Sequence, residues 1–476
     1  MKARLFAPEN RKWWTLVAVS FGLFMIMLDN TVVNVALPHI RDALSGSQSE
    51  LEWVVVAYTL TFATFLLSGG KLADRYGRRR LFSLGLLVFA ASSLACGLAS
   101  SAGFLIGART VQGVGAALMS PATLGIISAT FPPRQRGMAI GIWAGVSAMA
   151  LAIGPLVGGV LAEKVDWSWI FFVNVPIGVL GVGVARWAID ESRDTSHEQR
   201  LDLPGLVTSG IGLFALTYGL IEANGKGWAS AEILSFFAFG IVALAAFVLL
   251  ERHQRLPMLD LSLFRNATFA GANLALLFVA LAMFGIFFFN SIFFQNIVGY
   301  SAIQTGLLFL PMTVLIILVA PQAGRLSDRI GSRWLIGTGM ALLAVSLILF
   351  AGLDANSDFL DALPALTIGG LGMGITMTPI TAAAMGAVTV DKAGVGSAVL
   401  NAFRQVGGSL GIAIMGALVG SRVHVGPKSP EYPGQFVSGY HLGLHVSAGI
   451  ALSGAAVALL TVRKYRHAET PVAEPA

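Results

Sequence analysis

Two ionisable side chains stand where hydrocarbon is expected. Asp29 lies inside the apolar run 13 to 37, and Arg109 lies inside the run 103 to 131. A carboxylate in a membrane span is costly unless it is paired, hydrated or protonated, so Asp29 is a candidate proton carrier. Helix rise puts Asp29 about 16 residues, or roughly 24 Å, from the N-terminal side of its run. Arg109 falls about 6 residues, or roughly 9 Å, from the opposite side. Their depths match, so the spacing points to a proton-coupling pair in which the cation favours ionised Asp29. A static ion pair, or an acid held by Asn30 or Asn34, is the structural alternative. Arg404, in the run 394 to 420, has no intramembrane acid in its own half of the chain. It either faces a central cavity, holding an anionic group or excluding cations, or donates to backbone carbonyls and Gln405. Asn34 and Gln112 are the other expected cavity residues. Glu222, before Asn224-Gly225-Lys226-Gly227, reads as a solvated helix end, as do His441 and His445 at the start of the last run.

These charges are conspicuous because the chain has few others: of 476 residues, 55% are hydrophobic and 12% charged, about half the usual charged fraction. Apolar runs recur at 13 to 37, 51 to 70, 81 to 99, 103 to 131, 137 to 162, 169 to 189, 203 to 222, 233 to 250, 268 to 294, 304 to 323, 334 to 352, 362 to 386, 394 to 420 and 441 to 462. Each spans about 30 Å of hydrocarbon as a helix, and uniformly apolar runs satisfy their backbone in lipid only that way. The expected fold class is therefore an all-α integral membrane protein with fourteen spans. About 24 of the 31 Lys and Arg fall on the N-terminal side of this topology and about 5 on the other, which places both termini in the cytoplasm. That asymmetry accounts for the net charge of +6 without nucleic acid. The first run is too long for a signal peptide and contains Asp29, so it reads as a retained span. The single cysteine, Cys96, excludes an intrachain disulfide.

Gly70-Lys71-Leu72-Ala73-Asp74-Arg75-Tyr76-Gly77-Arg78-Arg79 recurs as Gly324-Arg325-Leu326-Ser327-Asp328-Arg329-Ile330-Gly331-Ser332-Arg333. Both copies follow an even-numbered span, the second and the tenth, so two halves are offset by eight spans with two helices inserted. The expected division is a six-helix bundle at 1-200, inserted spans 7 and 8 with their linker at 201-265, and a second six-helix bundle at 266-476. In duplicated bundles of this kind the binding site sits near the midplane between the halves. Asp74 and Asp328 each precede a new helix whose N-terminus a carboxylate can cap, while Arg75 and Arg78 to Arg80 sit at lipid head groups.

The repeated loop resembles the signature after the second helix of the major facilitator superfamily. Leu28-Asp29-Asn30-Thr31-Val32-Val33-Asn34-Val35-Ala36-Leu37-Pro38 resembles the first-helix motif of its fourteen-helix drug:proton antiporters, the EmrB/QacA-type group. Arg109, Gln112, Gly113 and Gly115 resemble the fourth-helix motif, and Gly145, Gly154-Pro155 and Gly158-Gly159 the fifth-helix antiporter motif. Trp167 to Phe172 with Asn174-Val175-Pro176 is similar to the sixth helix. The resemblance implies exchange of protons for a lipophilic drug-like or secondary-metabolite substrate in a cytoplasmic membrane. It also implies a conformational latch at Gly70, Asp74, Arg75, Gly77, Arg78, Gly324, Asp328, Arg329 and Gly331. Gly145, Gly154, Pro155, Gly158 and Gly159 would give a close contact with the other half. A proton symporter or uniporter of a small metabolite is the alternative.

Other classes fail on their chemistry. Gly407-x-Ser409-x-Gly411 matches a hydrolase elbow but lies in a span with no strand before it. Gly225-Lys226 lacks the Ser/Thr of a phosphate loop. No metal cluster, dinucleotide fingerprint or cofactor motif is present, and no recognisable determinant specifies a periplasmic adaptor. The charge asymmetry generates a topology test. With Cys96 replaced, a cysteine at Ser332 should react with an impermeant thiol reagent only from the cytoplasm, and one at Ser429 only from outside. Labelling of both from one side refutes the span count.

Overall fold

The computed structural model describes residues 10–193, 202–254, 257, 259–388, 393–426 and 429–463, and they form helices with no strand among them. The first half comprises α1 (Arg11–Leu44), α2 (Gln48–Tyr76), α3 (Arg78–Gly97), α4 (Ala102–Thr130), α5 (Pro133–Lys164) and α6 (Trp169–Ala188). Two helices follow, α7 (Leu203–Lys226) and α8 (Ala231–His253). The second half comprises α9 (Ala267–Ile297), α10 (Ala302–Leu308 and Leu310–Ile330), α11 (Ser332–Phe350), α12 (Phe359–Gly386), α13 (Ala393–Gly420) and α14 (Tyr432–Thr461). Thirteen of these are long and apolar enough to cross a membrane among the described residues, and α5, at 32 residues, is the fourteenth helix of comparable length.

Helix packing repeats with the eight-helix offset of the sequence. α1 packs on α5 and α6, α2 and α3 on α4, and α3 on α6; in the second half α9 packs on α13 and α14, α10 and α11 on α12, and α11 on α14. The halves meet through two symmetry-related pairs, α2 with α13 and α5 with α10. α7 packs on α8, α2 and α13, while α8 leaves most of its surface outward, as a lipid-facing helix does.

The bonds between the halves lie at the end opposite the two repeated loops. Gln295 Nε2 donates to the Val35 carbonyl at 2.8 Å, and Ile303 N donates to Glu163 Oε2 at 3.1 Å. A π-helical turn at Phe293–Ile297 carries Gln295 into this position. Glu163 thus satisfies a free amide in the first turn of α10 from across the interface. The amide–carbonyl bond contributes about 1 kcal/mol and the bond to the Glu163 carboxylate about 1.5 to 3, so removing both should shift the balance between closed and open forms by about two orders of magnitude. Spin labels at Gly103 and Gly434, where an added side chain meets nothing within 4 Å, report on this end. The double variant Glu163→Ala, Gln295→Ala should lengthen their distance distribution, and an unchanged distribution would show that these bonds do not hold the end shut.

Candidate functional site

The structure brings Asp29 and Arg109 together. Asp29, with no exposed surface, accepts from Arg109 Nη1 through Oδ2 at 2.5 Å. Its Oδ1 accepts from Gln112 Nε2 at 3.0 Å and from Asn174 Nδ2 at 3.5 Å. Arg109 also donates to Gln112 Oε1 at 2.7 Å and, through Nε, to the Val54 carbonyl at 3.0 Å. Its guanidinium carbon stands 4.3 Å from the centroid of the Tyr58 ring. Asn174 continues to Ser93 Oγ at 3.1 Å, and Ser93 to the Phe171 carbonyl at 2.9 Å. The buried Cys96 thiol donates to Gln112 Oε1 at 3.6 Å. α4 supplies Arg109 and Gln112 one turn apart, so both reach the same carboxylate.

Gln112 belongs to this network and not to an open cavity. Asn30 and Asn34 do not hold Asp29: Asn30 Nδ2 donates to the Ile26 carbonyl and Asn34 Nδ2 to the Asn30 carbonyl. Arg404 lies apart from Asp29, on α13, donating through Nη2 to Asn401 Oδ1 at 2.8 Å. Among the described residues its Nε and Asn34 Oδ1 are buried without a partner, and the Tyr58 hydroxyl, beside Asn30, has no acceptor for its proton. His441 bonds the Leu353 carbonyl and His445 the His441 carbonyl; both lie inside α14, which begins at Tyr432, and not at the helix end expected for them.

Several expectations are corrected. Asp74 does not cap α3; it pairs with Arg78 at 2.7 Å, one turn on, and Arg78 Nη1 reaches the Gly125 carbonyl at 3.4 Å. The carboxylate at the α3 N-terminus is Glu191, which accepts from Arg79 N at 3.1 Å and lies 3.8 and 3.7 Å from Arg79 and Arg80. Gly77 and Gly331 occupy φ of +112 and +92, which L side chains avoid, and this is why each copy of the loop has glycine there. The surroundings of Gly145 and the side chain of Asp328 lie outside what is described. Gly70 packs beside Pro121, Gly324 beside Thr378, and Arg75 stacks over Tyr76 while Arg329 is exposed. Gly154 and Gly158 face Thr31 and Val32 of α1 within their own half, whereas Gly159 meets Ala302 and Pro155 meets Gly306 of α10. Only part of that motif touches the other half. Glu222 is half-buried, accepting from Ser49 Oγ at 2.6 Å and Trp53 Nε1 at 3.2 Å, so it is not simply solvated. Glu52, 3% exposed against Gly416, is a further buried acid that the sequence reading missed.

Duplicated bundles around a buried ion pair define the architecture of a membrane transporter. The family model for the Major Facilitator Superfamily matches residues 19–412, and the chain belongs to that superfamily, a multi-pass membrane transporter. It is 38% identical over 406 residues to multidrug resistance protein Stp of Mycobacterium tuberculosis (strain CDC 1551 / Oshkosh), covering 85% of this chain and 75% of that one. It is 33% identical to the tetracenomycin C resistance and export protein of Streptomyces glaucescens, covering 95% and 92%. The methylenomycin A resistance protein of Streptomyces coelicolor is 36% identical, with 85% of each chain covered. A bacterial homologue of the human lysosomal transporter Spinster, solved inward-facing and unoccupied, shares the fold at TM-score 0.69 and 18% identity, covering 97% of this chain and 100% of that one.

The geometry assigns Glu191 the cap of α3. Glu191→Ala should weaken the first turn of α3 by about 1 kcal/mol, read as faster amide hydrogen exchange at residues 78 to 81. Asp74→Asn should leave those amides unchanged while freeing Arg78. Equal effects from the two substitutions would remove the distinction.

Proposed function

We propose that this chain exports lipophilic, drug-like or secondary-metabolite compounds across the cytoplasmic membrane in exchange for protons, by alternating access. The observation that carries the reading is the Asp29–Arg109 pair, a carboxylate and a guanidinium enclosed together in the first half. The multidrug and antibiotic resistance proteins among its relatives support an exporter. The basic loops support cytoplasmic termini, contact with anionic lipids, and division at 1-200, 201-265 and 266-476. On this topology the closed end is the outer one, and the described form faces the cytoplasm.

A proton reaching Asp29 cancels the charge that holds Arg109. Arg109 then keeps Gln112, the Val54 carbonyl and the Tyr58 ring, so protonation loosens α1 from α4 without stripping the cation of partners. Gly70, Asp74, Arg75, Gly77 and Arg78 with Gly324, Asp328, Arg329 and Gly331 act as latches between facing states. Gly145, Gly154, Pro155, Gly158 and Gly159 supply the small face on which α5 moves. Asn34 and Arg404 line the substrate path, and Gln112 serves the proton site.

Asp29→Asn keeps the volume and removes the titratable group. Substrate-evoked proton movement in proteoliposomes should disappear, while downhill exchange of substrate persists. Asp29→Asn also leaves Arg109 buried and unpaired, at a cost of about 3 to 5 kcal/mol, so adding Arg109→Gln should restore stability and cost less than the sum of the single changes. Wild-type proton coupling in Asp29→Asn would refute the assignment.

A further inference from the structure

Arg404 is the single Asp, Glu, Lys, Arg or His on α13. The spans of the second half carry no Asp or Glu between their ends, and Asp29 of the first half is engaged by Arg109, Gln112 and Asn174. No carboxylate pairs with Arg404 among the described residues. Tyr58 lies across the seam on α2, which packs on α13. Of the five N–H donors of this guanidinium, Nη2 is bonded to Asn401 and Nε is buried without an acceptor. The Tyr58 hydroxyl, on a residue with no exposed surface, has Asn30 beside its oxygen but no acceptor for its proton. The amide Nε2 of the neighbouring Gln405, 2% exposed, is a third donor without one. A half-buried cation with no carboxylate partner, beside unsatisfied donors, is a place where something acceptor-rich and anionic is favoured. Arg404 also lies one turn before Gly408, which packs on Phe284 of α9, so it projects from a stretch of α13 bounded by α9 and α2.

We propose that Arg404 reads the charge of the substrate and that this exporter takes lipophilic organic acids, each offering one phenolate, enolate or carboxylate. The acid oxygens accept from Arg404, with the Tyr58 hydroxyl as the second donor, and the anion is the counter-ion Arg404 lacks. The inference rests on the exporter reading above and specifies its substrate class. It has an electrical consequence. One proton entering against one monoanion leaving carries two positive charges inward per cycle, so an inside-negative potential drives the exchange; a monocation exchanged for one proton moves no net charge.

The test uses two xanthene dyes that share a ring system, fluorescein methyl ester (fluorescein below), whose one phenolate makes it the monoanion, and rhodamine 6G as the cation. Binding to the full purified chain is measured by fluorescence anisotropy at pH 8, where fluorescein is ionised. Wild type should bind fluorescein at least tenfold tighter than rhodamine 6G. Arg404→Gln should abolish that ratio without lowering the thermal unfolding temperature, because it removes a cation that has no carboxylate to lose. Arg404→Lys should keep part of the preference, Arg404→Glu should invert it, and Tyr58→Phe should weaken fluorescein binding several-fold. Equal binding of the two dyes, binding of neither, or a ratio unchanged in Arg404→Gln overturns the proposal. The exporter reading is judged separately by fluorescein-evoked or rhodamine-evoked proton movement in proteoliposomes. Proton movement evoked by the cation alone would uphold export and sink the acid class. Arg404-dependent binding with no proton movement for either dye would do the reverse.

Discussion

The fold of the first half is organised by one requirement: a carboxylate and a guanidinium out of reach of water must satisfy each other and every remaining hydrogen-bonding site. Asp29 comes from α1, Arg109 and Gln112 from α4, Asn174 from α6, Ser93 and Cys96 from α3, and the Val54 carbonyl and Tyr58 ring from α2. Five helices converge on a single pair. Losing one partner strands a charge at several kcal/mol, more than any single packing contact among these helices supplies. Among the described residues the second half has no buried ion pair. Arg404 stands there with Asn401, so the duplicated bundles share a packing pattern but divide the electrostatics unequally.

Movement between the halves is permitted by how they touch. At the α5–α10 contact two of the approaches are backbone on backbone, Gly159 against Ala302 and Gly306 against Pro155. Such approaches form close van der Waals contact and separate without rotamer changes. On the other side of α5, Gly154 and Gly158 seat against α1, which joins α5 firmly to its own bundle. One glycine-rich helix therefore presents Gly154 and Gly158 to its own bundle and Pro155 and Gly159 to the other half.

The fourteen apolar runs and their eight-span offset were legible because hydrocarbon thickness and backbone satisfaction leave helices as the sole solution. Helix ends were less so. α1 runs to Leu44, beyond the expected limit at 37, with Pro38 inside the helix. Depth arithmetic also suggested the meeting of Asp29 and Arg109, since rise per residue is fixed. Rotation about each axis is not fixed by composition, so the places of Asn174 and Ser93 in the network were not foreseeable. Nor was the exchange of Asp74 for Glu191 at the α3 cap. Asp74 is near in sequence, but the backbone turns at Gly77, and the chain after α6 returns to that site. Tyr58 escaped notice for a related reason, as a tyrosine in an apolar run gives no sign of whether its hydroxyl is bonded.

The inserted helices pose the remaining mechanical question, because α7 touches both halves and cannot stay with both when α2 and α13 separate. Its bonds are unequal. Towards α2, the Glu222 carboxyl accepts from Ser49 and Trp53, and near the opposite end Lys71 Nζ donates to the Pro257 carbonyl of the following linker at 2.7 Å. Towards α13, Asn224 Nδ2 donates to the Ala417 carbonyl at 2.8 Å. Hydrogen bonds to charged groups contribute about 1.5 to 3 kcal/mol, against about 1 for an amide–carbonyl bond. The α13 attachment is the one that yields first. α7, with α8 packed against it, accordingly travels with the first half, so the moving boundary runs between α7 and α13 rather than through the linker that joins the insert to α9.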